Sequence, residues 1–323
     1  MMKYRSLRLF ALLAAAAFTG CDGDGMGPLQ QSPGRVLFTV GLDGAREIWE
    51  MSTDGSNRRR LTSNTVADET PRWTEYWSEI VFARARPPVV GGGSPRFDIH
   101  IMSANGWNAR IVAESPSSDR SPTMSPNGST IAFLSYDATS EANYVRIYAM
   151  ESDGTNRRII SPLGLVAVSA AEWSLTGSQI IFTARRFGES SPMELFMMNA
   201  DGTGLKVIPD PCALDIILGR WSRSSFRISL ACNDPGESPM YTMTSAGLDV
   251  RRITPPKPAL NSIGDAGGLW SVMGERLLVV RDEVGTMIPL YSVNVQTGAA
   301  IRVAEITDPT FWLADWLTPY PPD

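Results

Sequence analysis

The stretch Ser121-Pro122-Thr123-Met124-Ser125-Pro126-Asn127-Gly128, followed by Ile131-Ala132-Phe133, joins a turn-rich segment to a short β-branched and aromatic run. The same grammar recurs along the chain, with an anchor residue seven to nine positions ahead of each run. Trp73 precedes Ile80-Val81-Phe82, Met124 precedes Ile131-Ala132-Phe133, Trp173 precedes Ile180-Ile181-Phe182, Trp221 precedes Ile228-Ser229-Leu230 and Trp270 precedes Leu277-Leu278-Val279. Trp316 is a sixth anchor with no run after it, and Val36-Leu37-Phe38 is a run with no anchor before it. Successive anchors lie 51, 49, 48, 49 and 46 residues apart, so one repeated unit organises the chain.

A second element recurs in phase: Ile48-Trp49-Glu50-Met51, Ile99-His100-Ile101-Met102, Ile147-Tyr148-Ala149-Met150, Leu195-Phe196-Met197-Met198, Met240-Tyr241-Thr242-Met243 and Leu290-Tyr291-Ser292-Val293. Gly55, Gly106, Gly154, Gly202, Gly247 and Gly298 follow within a few residues, the first four preceded by Asp or Asn, as hairpin turns of positive φ require. Gly128, Gly177 and Gly274 mark a further hairpin just past their anchors. Short basic, β-branched runs such as Arg58-Arg59-Arg60-Leu61-Thr62, Arg157-Arg158-Ile159-Ile160 and Arg251-Arg252-Ile253-Thr254 supply a fourth strand. Four hairpin-joined strands at this period predict an all-β, six-bladed β-propeller of four-stranded antiparallel blades over residues 35–318, with 319–323 as a tail. The incomplete ends complement one another: the strand of Trp316 is expected to complete the N-terminal blade and close the ring, removing two sheet edges.

Ser121 to Gly128 with Ile131-Ala132-Phe133, and Ile147-Tyr148-Ala149-Met150 with Asp153-Gly154, resemble the TolB-type, WD-repeat-like propeller repeat; the repeat's acidic residue five before the anchor is present as Asp68, Asp119 and Asp265. The resemblance implies a non-catalytic platform of the bacterial envelope, or a companion to a separate catalytic domain. TolB itself has an additional N-terminal α/β domain, in whose place this sequence has the short segment 22–34.

Composition agrees with this class. The chain has 323 residues, 43 % hydrophobic and 20 % charged, with 28 Gly, 23 Pro and one His, which suits many short strands and argues against a histidine-built triad or metal site. Lys3, Arg5 and Arg8 followed by the apolar run Leu9 to Phe18 read as a signal peptide over residues 1–20. Phe18-Thr19-Gly20-Cys21 resembles the lipobox of bacterial lipoproteins, which makes Cys21 the lipidated residue and residues 21–34, rich in Gly, Pro and Asp, a flexible tether. Removal of residues 1–20 leaves 26 basic and 34 acidic residues, a net charge of −8, unsuited to nucleic acid; the membrane is expected to be met only through the lipid anchor.

Candidate chemistry is sparse. His100 occupies the repeat position of Trp49, Tyr148, Phe196, Tyr241 and Tyr291, so it reads as a packing ring; the Asp-Gly pairs read as turns and not calcium ligands, so no metal and no cofactor are expected. Cys212 and Cys232, an even pair in an oxidising compartment, are expected to form a disulfide worth about 3 kcal/mol by loop entropy. The least repeat-like segments follow each second strand, and there Arg84, Arg86, Arg185, Arg186 and Arg281, with Phe311 and Trp312, form the candidate binding face. The expected function is a monomeric, non-enzymatic envelope lipoprotein facing the periplasm or exterior, TolB-like, that binds an envelope protein or glycan. The alternative is a propeller enzyme, a polysaccharide lyase or hydrolase.

Overall fold

The structure is a computed structural model that describes residues 34–42, 45–74, 78–87, 95–136, 145–167, 169–188, 192–234, 238–254, 265–281, 288–308 and 310–317. The described residues form twenty-five strands and no helix, gathered into six antiparallel sheets. Blade 1 runs, from inside to outside, through Trp312–Leu317, Arg35–Val40, Glu47–Ser52 and Arg59–Arg60, so its innermost strand comes from the far end of the chain. The other inner strands are Asp68–Trp73, Ser118–Met124, the pair Leu165–Ala167 and Glu172–Trp173, Asp215–Trp221 and Asp265–Trp270, in blades 2 to 6. Each touches the inner strand of the next blade, and that of blade 6 touches Trp312–Leu317, which completes the circle.

The repeat columns of the sequence become cross-strand pairs. Phe38 faces Trp49, Phe82 faces His100, Phe133 faces Tyr148 and Phe182 faces Phe196 across the second and third strands, with ring centroids 5.6 to 6.4 Å apart. Such pairs are the unit of sheet stabilisation. Burial and those rings place the core between blades, as in the cluster joining Ala132 and Ile147 of blade 3 to Ile180 and Phe182 of blade 4. His100 is the polar member of this column: burial holds its imidazole below the ordinary pKa, partly opposed by a contact between Nδ1 and the Asp98 carbonyl 3.2 Å away.

The hairpin glycines do more than turn the chain. Gly106, Gly154 and Gly202 have φ of +92°, +89° and +90°, and a Cβ on each would lie 2.6, 2.2 and 2.4 Å from the carbonyl oxygens of Leu61, Val112 and Ile160 in the preceding blade. Only glycine permits both the conformation and the approach. Indoles stitch the inner ring similarly: Trp173 Nε1 donates to the Thr123 carbonyl and Trp270 Nε1 to the Arg220 carbonyl, each one blade back, at 3.3 Å.

Blade 4 departs from the expected pattern, because its inner strand is broken between Ala167 and Glu172. The outermost strands of blades 1, 3 and 5 are also shorter than expected, being two residues each.

Candidate functional site

Every unbroken inner strand carries a bulge. Register slips between Glu69 and Arg72, Arg120 and Thr123, Ile216 and Leu218, and Gly267 and Leu269, while opposite Trp312–Leu317 it slips between Leu37 and Phe38. Thr70 and Ser121 sit at these bulges with φ of +52° and +53°, costly for side chains other than glycine and found where the surroundings impose them. The residues just before the six anchors are Arg72, Thr123, Glu172, Arg220, Leu269 and Asp315, and four of them are charged.

These charges meet in the central channel. Arg72 Nη2 of blade 2 donates to Glu172 Oε1 of blade 4 at 2.7 Å, and Arg220 Nη1 of blade 5 approaches the same oxygen at 3.4 Å. Arg223 Nη2 of blade 5 donates to Asp315 Oδ2 of blade 1 at 2.8 Å, and the Trp73 backbone N–H donates to that oxygen at 2.9 Å. Blades 2 and 4, like 5 and 1, are not neighbours, so these pairs span the axis. Arg72 and Arg220 are only 9 % and 8 % exposed. Burial pushes the Glu172 carboxyl up, with Asp315 adding to the rise and Arg72 and Arg223 opposing it. A cavity of about 60 Å³ at the anchor end of the channel is lined by Arg72, Trp73, Glu172, Trp221 and Arg223 among others.

The opposite face holds the loop-proximal arginines expected from the sequence. Arg84 grips Asp68 through Nε and Nη2 at 2.7 and 2.8 Å, while Asp68 has no exposed surface. Arg86 Nε donates to Asp98 at 2.6 Å and its Nη2 reaches the carbonyls of Ser115 and Ser117. Hydrogen bonding to their carboxylates raises both arginines above the ordinary pKa. Arg185 and Arg186 stand on the rim, paired with Asp215 at 3.2 Å and Glu194 at 3.0 Å, with side chains 45 % exposed. Phe311 is 7 % exposed and packs on Phe38 with centroids 5.0 Å apart, so it is a core ring and not a surface contact. Arg281 and Trp312 lie in strands, but their side chains, like Cys21, fall outside the described residues. Cys212 and Cys232 are joined in a disulfide with Cα atoms 5.4 Å apart.

On this same face a pocket of about 550 Å³ opens over blade 3, lined by Pro95, Pro116, Leu134, Tyr136 and Val145 with Arg96 and Arg120. The Arg120 guanidinium lies 3.8 Å from the Phe97 ring centroid. Sequence reasoning did not single out this pocket, because its residues come from three blades and no one segment carries the signal. Among the described residues no group of three or more His, Cys, Asp or Glu side chains is placed to hold a metal ion.

A family model described as the TolB beta propeller domain matches residues 89–308. The chain belongs to the TolB β-propeller domain family. TolB from Acinetobacter baumannii is 15 % identical to this TolB-type propeller, with a TM-score of 0.65 over 87 % of this chain and 67 % of that one. An oligogalacturonate lyase in complex with manganese is 11 % identical, with a TM-score of 0.57 over 86 % of this chain and 75 % of that one. A puromycin hydrolase is 13 % identical, with a TM-score of 0.58 over 85 % of this chain, which spans about half (47 %) of that protein. At these identities the likeness establishes a shared fold, one that carries both binding proteins and enzymes.

Proposed function

We propose that this TolB-type propeller is a lipid-anchored protein of the bacterial cell envelope that binds an envelope protein or glycan on its loop face without transforming it. The observation that carries the reading is the roughly 550 Å³ pocket over blade 3, an apolar floor of Leu134, Tyr136 and Val145 between two prolines with arginines at its edge. Concave, mostly apolar sites with a few convergent polar groups are where proteins take ligands. The rim arginines Arg185 and Arg186 extend the same face, and family membership with TolB supports an envelope address. Arg84 and Arg86 act there by holding Asp68 and Asp98 and thereby shaping the rim.

In-cell crosslinking and affinity capture test the reading, comparing wild type with a Tyr136→Ala, Arg185→Ala, Arg186→Ala variant. These side chains are 40 to 45 % exposed, and surface ion pairs contribute little to stability, so the variant keeps its fold. The expected result is one envelope protein or glycan captured by the wild type and lost in the variant. Identical capture by both, or none by either, rejects this face.

A second reading, a polysaccharide-acting enzyme, draws support from Glu172, a carboxyl pushed up by burial beside two arginines, as a general acid would be. Cleavage of an acidic oligosaccharide by the wild type, abolished in Glu172→Gln, would establish it in place of the platform.

A further inference from the structure

The arginines of the loop face and those of the channel differ in how fully they are engaged. Arg84 and Arg86 each direct two nitrogens at one carboxylate. Arg72, Arg220 and Arg223, by contrast, make one hydrogen bond each among the described residues, through Nη2, Nη1 and Nη2. A guanidinium has five N–H donors in a fixed fork, so among the described residues most of the donors of these arginines have no protein acceptor. Arg220 Nε, buried with no acceptor among the described residues, belongs to a separate cavity of the channel that it lines with Arg46 and Glu69. Three cations face two carboxylates here, and one Glu172 oxygen serves two of those cations.

The indoles tell the same story. Trp173 and Trp270 each hand their Nε1–H to a carbonyl of the preceding blade. Trp73 and Trp221 occupy the same repeat position, are 3 % and 5 % exposed, and have buried Nε1–H groups without an acceptor among the described residues. Both line the channel mouth with Arg72 and Arg223. Buried donors left unmatched are rare in native proteins, and two on residues that line one cavity beside two arginines call for an acceptor that carries negative charge.

We infer that the anchor-end mouth of the channel is a carboxylate-binding site, in which Arg72 and Arg223 supply charge and Trp73 and Trp221 supply neutral donors. The cavity of about 60 Å³ has room for a carboxylate group. Arg223, with its side chain 31 % exposed, is the first group an arriving carboxylate meets. The site lies at the other end of the inner strands from the loop face and does not depend on the platform reading. The carboxylate comes either from a small free acid or from an acidic peptide that dips one side chain into the mouth.

The test uses the full-length protein and two probes, acetate and a soluble Glu-rich peptide, with chloride at matched ionic strength as the control. Binding is followed by calorimetry and by tryptophan emission. The expected result is saturable binding of one or both probes beyond chloride, weakened about tenfold or more by Trp221→Phe and by Arg223→Gln, since a hydrogen bond to a charged group contributes on that scale. Trp221→Phe removes the N–H together with the pyrrole half of a core indole, so a urea melt of each variant is run beside the titration to separate lost recognition from lost folding. Binding of acetate assigns a free acid as sufficient; binding of the peptide alone assigns an acidic peptide. No binding of either probe beyond chloride, or binding unchanged in both variants, overturns the inference.

Discussion

Removing residues 311–323 takes away the inner strand of blade 1 and should unfold the whole ring. The deleted segment contributes the buried side chains of Phe311 and Ala314, each 7 % exposed, and the partly buried Leu313. At about 25 cal/mol per Å² of apolar surface these account for about 5 kcal/mol. The deletion also uncovers Val36 and Phe38, which pack in the same cluster, and strips Asp315 from the buried Trp73 backbone N–H, an orphaned donor costing about 1–3 kcal/mol. A loss near 8 kcal/mol is comparable with the 5–15 kcal/mol that holds a typical protein together, so the shortened chain should be largely unfolded at 25 °C. Far-UV circular dichroism and urea titration read this directly. A circular permutant in which Leu317 is linked to Arg35, its cross-strand partner, and the chain is opened within residues 255–264 keeps every described strand and should melt cooperatively. A shortened protein that melts within a few degrees of the intact one would refute the closure argument, since it would mean that the other five blades need no complete ring.

Three further outcomes follow from single sites. Arg84→Ala leaves the fully buried Asp68 without its guanidinium and should cost about 3 kcal/mol in urea unfolding, with most of it recovered when Asp68→Asn is added; additive losses would count against the pair. His100, the one histidine of the chain, has a folded pKa below its ordinary 6.5, so the unfolded state takes up the proton first and stability falls as pH drops through 6.5 toward the folded value. Replacing it by Phe should flatten the melting temperature over that window, and parallel curves for the two proteins would contradict the assignment. Gly154→Ala meets the Val112 carbonyl, whereas Gly128→Ala, also at positive φ, meets nothing within 4 Å. The second should cost about 1–2 kcal/mol and the first clearly more, as thermal melts would show.

The blade count and the turns were legible because each is written six times. A glycine that must adopt positive φ cannot be replaced cheaply, and neither can a ring that stacks on its cross-strand neighbour, so both persist as columns in the repeat. The channel was not legible for the opposite reason. Its residues fill the column just before the anchor, where the repeat tolerates Arg72, Thr123, Glu172, Arg220, Leu269 and Asp315 alike. Its charged members meet across the axis, whereas Thr123 bonds the Ala171 carbonyl of blade 4 and Leu269 packs against blade 1, so no single residue type recurs; comparing the column across the repeats, with attention to its charge, would have exposed the cluster. Asp68 was visible as the repeat's acid, but its partner Arg84 lies directly opposite on the next strand, a pairing that only the register discloses. Arginines chosen for their place near variable loops therefore included two that are spent on internal carboxylates.

The strand Arg35–Val40 has one neighbour from its own end of the chain and one from the other, both antiparallel to it. A pull applied through the residues before Gly34 thus enters the ring along the axis of a strand bonded on both flanks. The two ladders resist together in shear, and neither can be peeled open one bond at a time. An object held by its leading segment against a load on the propeller would put that force into the seam where the circle is sewn shut, which is also the seam best arranged to bear it.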